Sequence, residues 1–130
     1  MQTFTNRHPH CFSQVPGYCD EFCAWHSMNY ITVKTTTYAN VKYAHVPHPG
    51  SNDYCLNRCG AGWGGSPNGD PATDGLVSNF AHELTETLTD PDGSTGWTNT
   101  NLFDGENGDI CRGMYGTTYN YGKNCESAQN

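Results

Sequence analysis

The segment Thr73–Asp90, TDGLVSNFAHELTETLTD, constrains the fold most, because it carries the one sustained helical period in the chain. Leu76, Val77, Phe80, Ala81, Leu84 and Leu88 recur at spacings of three and four, which predicts one buried helical face. Asp74 stands where an N-cap belongs and Asp90-Pro91 stops the helix, so it is expected over residues 74–89. His82 and Glu86 lie four apart and point the same way from successive turns. A metal ion needs two donors held side by side. The order His82-Glu83-x-x-Glu86 differs from the zinc-peptidase order His-Glu-x-x-His only in its last ligand.

What surrounds this helix is bounded by size and cysteine usage. The 130 residues suit a single domain, 1–130. A hydrophobic fraction of 35% with 15 Gly implies a small core and much irregular backbone. Seven Cys supply an alternative source of stability and read as an extracellular, disulfide-bonded protein with one thiol left over. Cys19/Cys23 and Cys55/Cys59 are each four apart, whereas zinc knuckles favour a spacing of three, so disulfides are preferred to a structural zinc site with four cysteine ligands. A net charge of −7 without a basic patch argues against nucleic acid and anionic membrane surfaces. No apolar run reaches the length of a membrane span. The opening MQTFTNRHPHCF lacks the apolar core of a signal peptide, so the chain is expected to be a fragment of a longer secreted precursor.

Along the chain, residues 1–28 show no period and are expected to be irregular, tied down by Cys11, Cys19 and Cys23. The run Cys23-Ala24-Trp25-His26 reads as a disulfide beside a packed Trp rather than a metal site. Residues 29–38 and 41–47 are β-branched and alternating, which predicts two strands joined at Ala39-Asn40. Val41, Tyr43 and His45 would share one strand face, and His45 and His48 are expected to pack rather than ligate. Residues 49–71 read as a long Gly/Pro/Asn loop stapled by Cys55 and Cys59. Beyond the helix, turns crowd Asp90, Asp92, Asp104, Glu106 and Asp109 together, ahead of a Tyr/Gly/Thr-rich tail expected to lie on the sheet.

These segments carry a family likeness. FAHELTETLTDP, Trp97, DGENGDIC and MYGTTY, with YCDEFCAWH upstream, VKYAHV and the Cys55/Cys59 loop, resemble the phosphate-induced/EXORDIUM family, its microbial and oomycete members most closely. The likeness spans most of residues 18–120. It implies secretion to the cell wall or extracellular space, with no firmly attached enzymatic activity. The chain departs from the family pattern at Ser94-Thr95-Gly96-Trp97, where Asn-Ala-Trp is usual, in an additional Cys11, and in a missing N-terminal region.

Three chemistries are open at the helix. In a zinc-hydrolase reading, His82, Glu86 and Glu106 bind the ion, Asp109 holds the other ring nitrogen of His82, and Glu83 is the catalytic general base. In a calcium reading, Glu86, Asp90, Asp92, Glu106 and Asp109 form an oxygen cage. In a purely structural reading, His82 and Glu86 hydrogen-bond to the following loop. The expectation is an α+β, disulfide-stabilised, zincin-like domain, a short twisted antiparallel sheet on one central helix with long irregular loops. It would serve as a secreted structural or cell-wall module holding zinc or calcium at His82, Glu86, Glu106 and Asp109. Self-association and contact with matrix or cell-wall glycans are the expected partner modes. A metal-dependent peptidase, and a carbohydrate-binding module using Trp25, Trp63 and Trp97, are the alternatives.

Overall fold

The computed structural model describes residues 16–63, 65–100, 105–120 and 127–128, the side chain of Trp63 and those of residues 119–120 and 127–128 excepted. Cys11, Cys125, Leu102, Phe103 and Asp104 lie outside the described residues. The protein is α+β. Strands β1 (Trp25–Val33) and β2 (Thr36–His45) form an antiparallel hairpin. Helix α1 (Asp53–Cys59) and the long α2 (Pro71–Thr89) follow, then the four-residue α3 (Asn107–Ile110) and a minimal pair, β3 (Tyr119–Asn120) with β4 (Ser127–Ala128).

The hairpin starts earlier and turns earlier than its composition suggests. Trp25 pairs with His45 and Val33 with Thr36, so the turn falls at Lys34-Thr35, with Lys34 in the left-handed region at φ 53°. Ala39-Asn40 is instead the site of a register shift, opposite Tyr30, with Asn40 at φ 56°. A bulge and a turn both favour Asn, so its presence did not separate them. Val41, Tyr43 and His45 do share the half-buried face, where Trp25 packs edge-on against Tyr43 and leans on His45.

The stretch 49–71 is not one loop. His48 Nδ1 accepts from Gly50 N and caps a 3-10 turn at Pro49–Ser51. Asn52 Oδ1 accepts from Cys55 N and opens α1. The helix presents Cys55 and Cys59 one turn apart to the Cys19/Cys23 pair. The disulfides run Cys19–Cys55 and Cys23–Cys59, two parallel rungs. Tyr18, Cys19, Cys55 and Cys59 form the buried core, with Phe22 packed against it. Arg58 seals its edge by donating to the carbonyls of Cys19 and Asp20. Much of the apolar burial is therefore sulfur.

Helix α2 begins at Asp70, not Asp74. Asp70 Oδ1 accepts from Ala72 N and Thr73 N, and Pro71 takes the first helical position, where its missing N–H costs nothing. The face turned inward is the larger correction. Gly75, Glu83, Glu86 and Asp90 are buried, while Val77, Phe80, Leu84 and Leu88 are exposed, Leu88 by 76%. The buried row and the apolar row start two residues apart, which is roughly 200° around the helix. Each has the right period, and the polar one faces in. Gly75 shows part of the reason. A Cβ there would lie 2.6 Å from Gly60 Cα and 2.7 Å from the Cys59 carbonyl, so only glycine lets α2 cross the end of α1 this closely. The tail corrects as well: residues 111–118 are exposed, and Tyr115 reaches α2 through Ser78 rather than the sheet.

Asp74 serves the turn before the helix. Its carboxylate accepts from Ser66 Oγ at 2.5 Å, Asn68 Nδ2 at 2.6 Å and Asn68 N at 3.1 Å. Partial burial works to raise its pKa, but these bonds outweigh it and hold the group below the usual 3.8. A depressed folded pKa stabilises above the unfolded value and is lost as pH falls through the folded one. Asp74→Asn should therefore lower the melting temperature at neutral pH and flatten its fall between about pH 5 and pH 2. Melting curves across that range check this, and an unchanged acid limb would contradict it.

Candidate functional site

The inward face of α2 meets the start of β1. His26, the second residue of that strand, sets its Nδ1 3.0 Å from Glu83 Oε2 and 3.5 Å from Glu86 Oε2. Its Nε2 lies 2.9 Å from the Asp90 carbonyl, an acceptor only, so Nε2 carries a proton and donates. Nδ1 is then the atom that faces the two glutamates. Glu106, at the mouth of α3, brings Oε1 to 3.4 Å from His26 Nε2.

His82 occupies the other side of Glu86. Its Nε2 is 3.0 Å from Glu86 Oε1 and 3.4 Å from Asp109 Oδ1. Glu86 is thus shared, one oxygen turned to each imidazole. Helix α3 is seated on it: Asp109 N donates to Glu86 Oε1 at 3.1 Å, and Asn107 Nδ2 donates to the Thr85 carbonyl. The approach requires glycine at 108, where a Cβ would lie 2.7 Å from Glu86 Oε1 and 3.0 Å from His82 Nδ1. Asp90 closes the far end of α2. Its Oδ1 accepts from Ser94 N, Thr95 N and Gly96 N, folding the Gly-rich turn around the helix end. Its Oδ2 is buried without a hydrogen-bond partner, as is Glu106 Oε1.

His82, Glu86, Glu106 and Asp109 therefore converge, as the helical spacing and the acidic bend anticipate. Two details differ. Asp109 approaches the same nitrogen of His82 as Glu86 does, not the other one. Glu83, expected as a general base, is buried in the cluster on His26. Asp92 stays outside it, its carboxylate accepting from the backbone and hydroxyls of Ser94 and Thr95. His26 is the residue that sequence reasoning missed. Its neighbours Cys23 and Trp25 explained the segment without it, and a signal was present only in its place on a strand adjoining the helix. His48 is a helix cap, and His45 packs on Trp25, where burial lowers its pKa.

The electrostatics follow from crowding. Burial raises Glu83 above the usual carboxylate range, against the pull of His26. Burial and the charge of Glu86 raise Glu106. Burial works to lower both imidazoles, but the Asp90 carbonyl, Glu83 and Glu106 move His26 upward on balance, and Glu86 with Glu83 and Asp109 does the same for His82. Ligand atoms of His26, Glu86 and Glu106 lie within 4.8 Å of one another, as do those of His82, Glu83 and Glu86.

The conserved region of phosphate-induced protein 1 matches this chain over residues 13–127, which takes in the disulfide ladder, the hairpin, α2 and α3. The chain belongs to the phosphate-induced protein 1 family. Among curated proteins and solved structures, nothing matches. In this family member no helix among the described residues is long and apolar enough to cross a membrane.

Gly108→Ala should force α3 off Glu86, at a cost on the order of 1–3 kcal/mol. Gly62→Ala meets nothing within 4 Å and should change stability by no more than about 0.5 kcal/mol. Chemical denaturation of both variants measures the difference, and equal stabilities would show that α3 is not held by this contact.

Proposed function

We propose that this chain is a secreted, cell-wall-type structural module of the phosphate-induced protein 1 family, stabilised by disulfides and by a divalent metal held at the α2 cluster. One observation carries the reading: Glu83, Glu86 and Asp90 are 4%, 2% and 0% exposed, with imidazoles against Glu83 and Glu86 and backbone N–H groups against Asp90 Oδ1. Isolated buried carboxylates are costly, and proteins answer by protonation, pairing or metal coordination. Two imidazoles in the donor set favour zinc or a similar first-row ion over calcium, which takes oxygen alone.

A zincin-like, metal-dependent hydrolase is the second reading, supported by the His82-Glu83-x-x-Glu86 order and the convergence of His82 with Glu86. Its weakness is Glu83, which would have to take a proton from bound water while buried on His26. The cavity on the hairpin side of α2, of about 160 Å³, is lined by Lys42, Tyr43, Ala44, Phe80, Leu84 and Thr87, apart from these carboxylates. The structural module is therefore preferred. Zinc added to metal-free protein should raise the melting temperature and chelator should lower it. Glu83→Gln should leave no proteolysis of an unfolded protein substrate to lose. No thermal response to zinc, manganese or chelator would refute the metal. Turnover by the parent chain that Glu83→Gln abolishes would replace the module with the peptidase.

The exposed row Val77, Phe80, Leu84 and Leu88 supports self-association, since it carries no charge and apolar area of this kind favours burial. The glycan-binding alternative retains Trp97 as an exposed stacking face, whereas Trp25 is packed against Tyr43 and His45. Light scattering should find the wild-type chain above monomer mass and the double variant Phe80→Glu, Leu84→Glu at monomer mass. A wild-type monomer at high concentration would remove self-association from the reading.

A further inference from the structure

We infer that the α2 cluster is built for two divalent cations, with Glu86 bridging them. The inference rests on the metal reading above and goes beyond it in number and geometry. The first position lies among His26, Glu86 and Glu106, and the second among His82, Glu83 and Glu86. Glu86 is the one residue common to both. Its two oxygens are divided between them, Oε2 toward His26 and Oε1 toward His82. A carboxylate with one oxygen on each of two ions spaces them at about 3.5–4 Å, the separation of two-metal sites.

Charge and satisfaction point the same way. The carboxylates of Glu83, Glu86, Glu106 and Asp109 lie against two imidazoles, and the charge of a fifth, Asp90, acts on Glu106. With imidazoles neutral, as ligands must be, one divalent ion leaves three negative charges in excess and two ions leave one. Separate from the cluster's own contacts, Asp90 is completely buried and its Oδ2 has no hydrogen-bond partner, while its charge acts on Glu106 beside the first position. The His26 tautomer fits the Glu86 side of the first position, whereas Glu106 Oε1 lies 3.4 Å from the proton-bearing Nε2. The Asp90 carbonyl holds the proton on Nε2, so the lone pair of Nδ1 is directed at Glu86 Oε2 and Glu83 Oε2. A lone pair facing two carboxylates repels them unless a proton or an ion lies between. Backbone-oriented imidazole with the opposite nitrogen free is the usual outer arrangement of a histidine metal ligand.

Metal-free full-length protein, titrated with zinc and then separated from free ion, should retain two zinc per chain by elemental analysis. His26→Ala and His82→Ala should each retain one, with far-ultraviolet circular dichroism showing that they fold. Wild-type protein loaded with manganese should give the paramagnetic resonance spectrum of an exchange-coupled pair, a readout that needs no variant. One zinc per chain, an uncoupled manganese spectrum, or two zinc retained by both variants would overturn the two-ion arrangement and leave the single-metal reading in place. No retained zinc or manganese would overturn both.

Discussion

An imidazole at the start of a strand, lodged against two carboxylates of a helix, decides which way that helix faces. His26 bonds Glu83 and the Asp90 carbonyl and approaches Glu86 and Glu106, so one side chain touches the middle of α2, its end, and the mouth of α3. Rotating α2 to bury Val77, Phe80, Leu84 and Leu88 would take Glu83 and Glu86 away from His26 and release α3, which is seated on Glu86 through Asp109 N. The hydrophobic gain of that rotation is real, at roughly 1.5–3 kcal/mol for each large side chain fully covered. What opposes it is the combined set of bonds to His26, the Gly75–Gly60 approach and the docking of α3.

That inversion is tolerable because the hydrophobic core lies elsewhere and is partly covalent. The two rungs Cys19–Cys55 and Cys23–Cys59 each close 36 residues of sequence and tie the segment before β1 to α1. By fixing the hairpin's start, they fix His26. By fixing α1, they fix the surface that Gly75 crosses. Each rung limits the unfolded chain by a few kcal/mol, which a domain with so few buried aliphatic side chains needs. The disulfides and the polar cluster are therefore consecutive parts of one construction: the ladder places β1, β1 presents His26, and His26 sets the rotation of α2.

The helix, its stop at Asp90-Pro91 and the convergence of His82, Glu86, Glu106 and Asp109 were legible in the chain because they follow from local spacing and from an acidic bend directly after a helix stop. The alternation of Val41, Tyr43 and His45 was legible for the same reason. The orientation of α2 was not. Period alone locates two opposite rows and says nothing about which row meets the rest of the molecule, and hydrophobicity chose the wrong one. Gly75 was the one local hint, since a glycine inside a helix suggests close approach of another backbone. Helix α1 was hidden by its Gly and Pro neighbours and by reading Cys55 and Cys59 as loop staples. His26 was hidden by distance, because 57 residues separate it from Glu83 and nothing local links them.

The remaining physical question is why a chain keeps so many carboxylates in its interior. Replacing a buried ionic cluster with apolar side chains of similar volume is often neutral or stabilising, so stability alone does not explain it. Here the polar row also forces an apolar row into solvent, which adds a second cost. Both costs fall on the same helix. A helix that keeps Glu83, Glu86 and Asp90 inward at that expense has its face set by something the carboxylates do. Within this fold, that is to gather the imidazoles of His26 and His82 and the acidic mouth of α3 around a shared Glu86. The nearest partners of these carboxylates are the two imidazoles and backbone N–H groups, so the bonds that hold this face inward are the ones that turning the helix would lose.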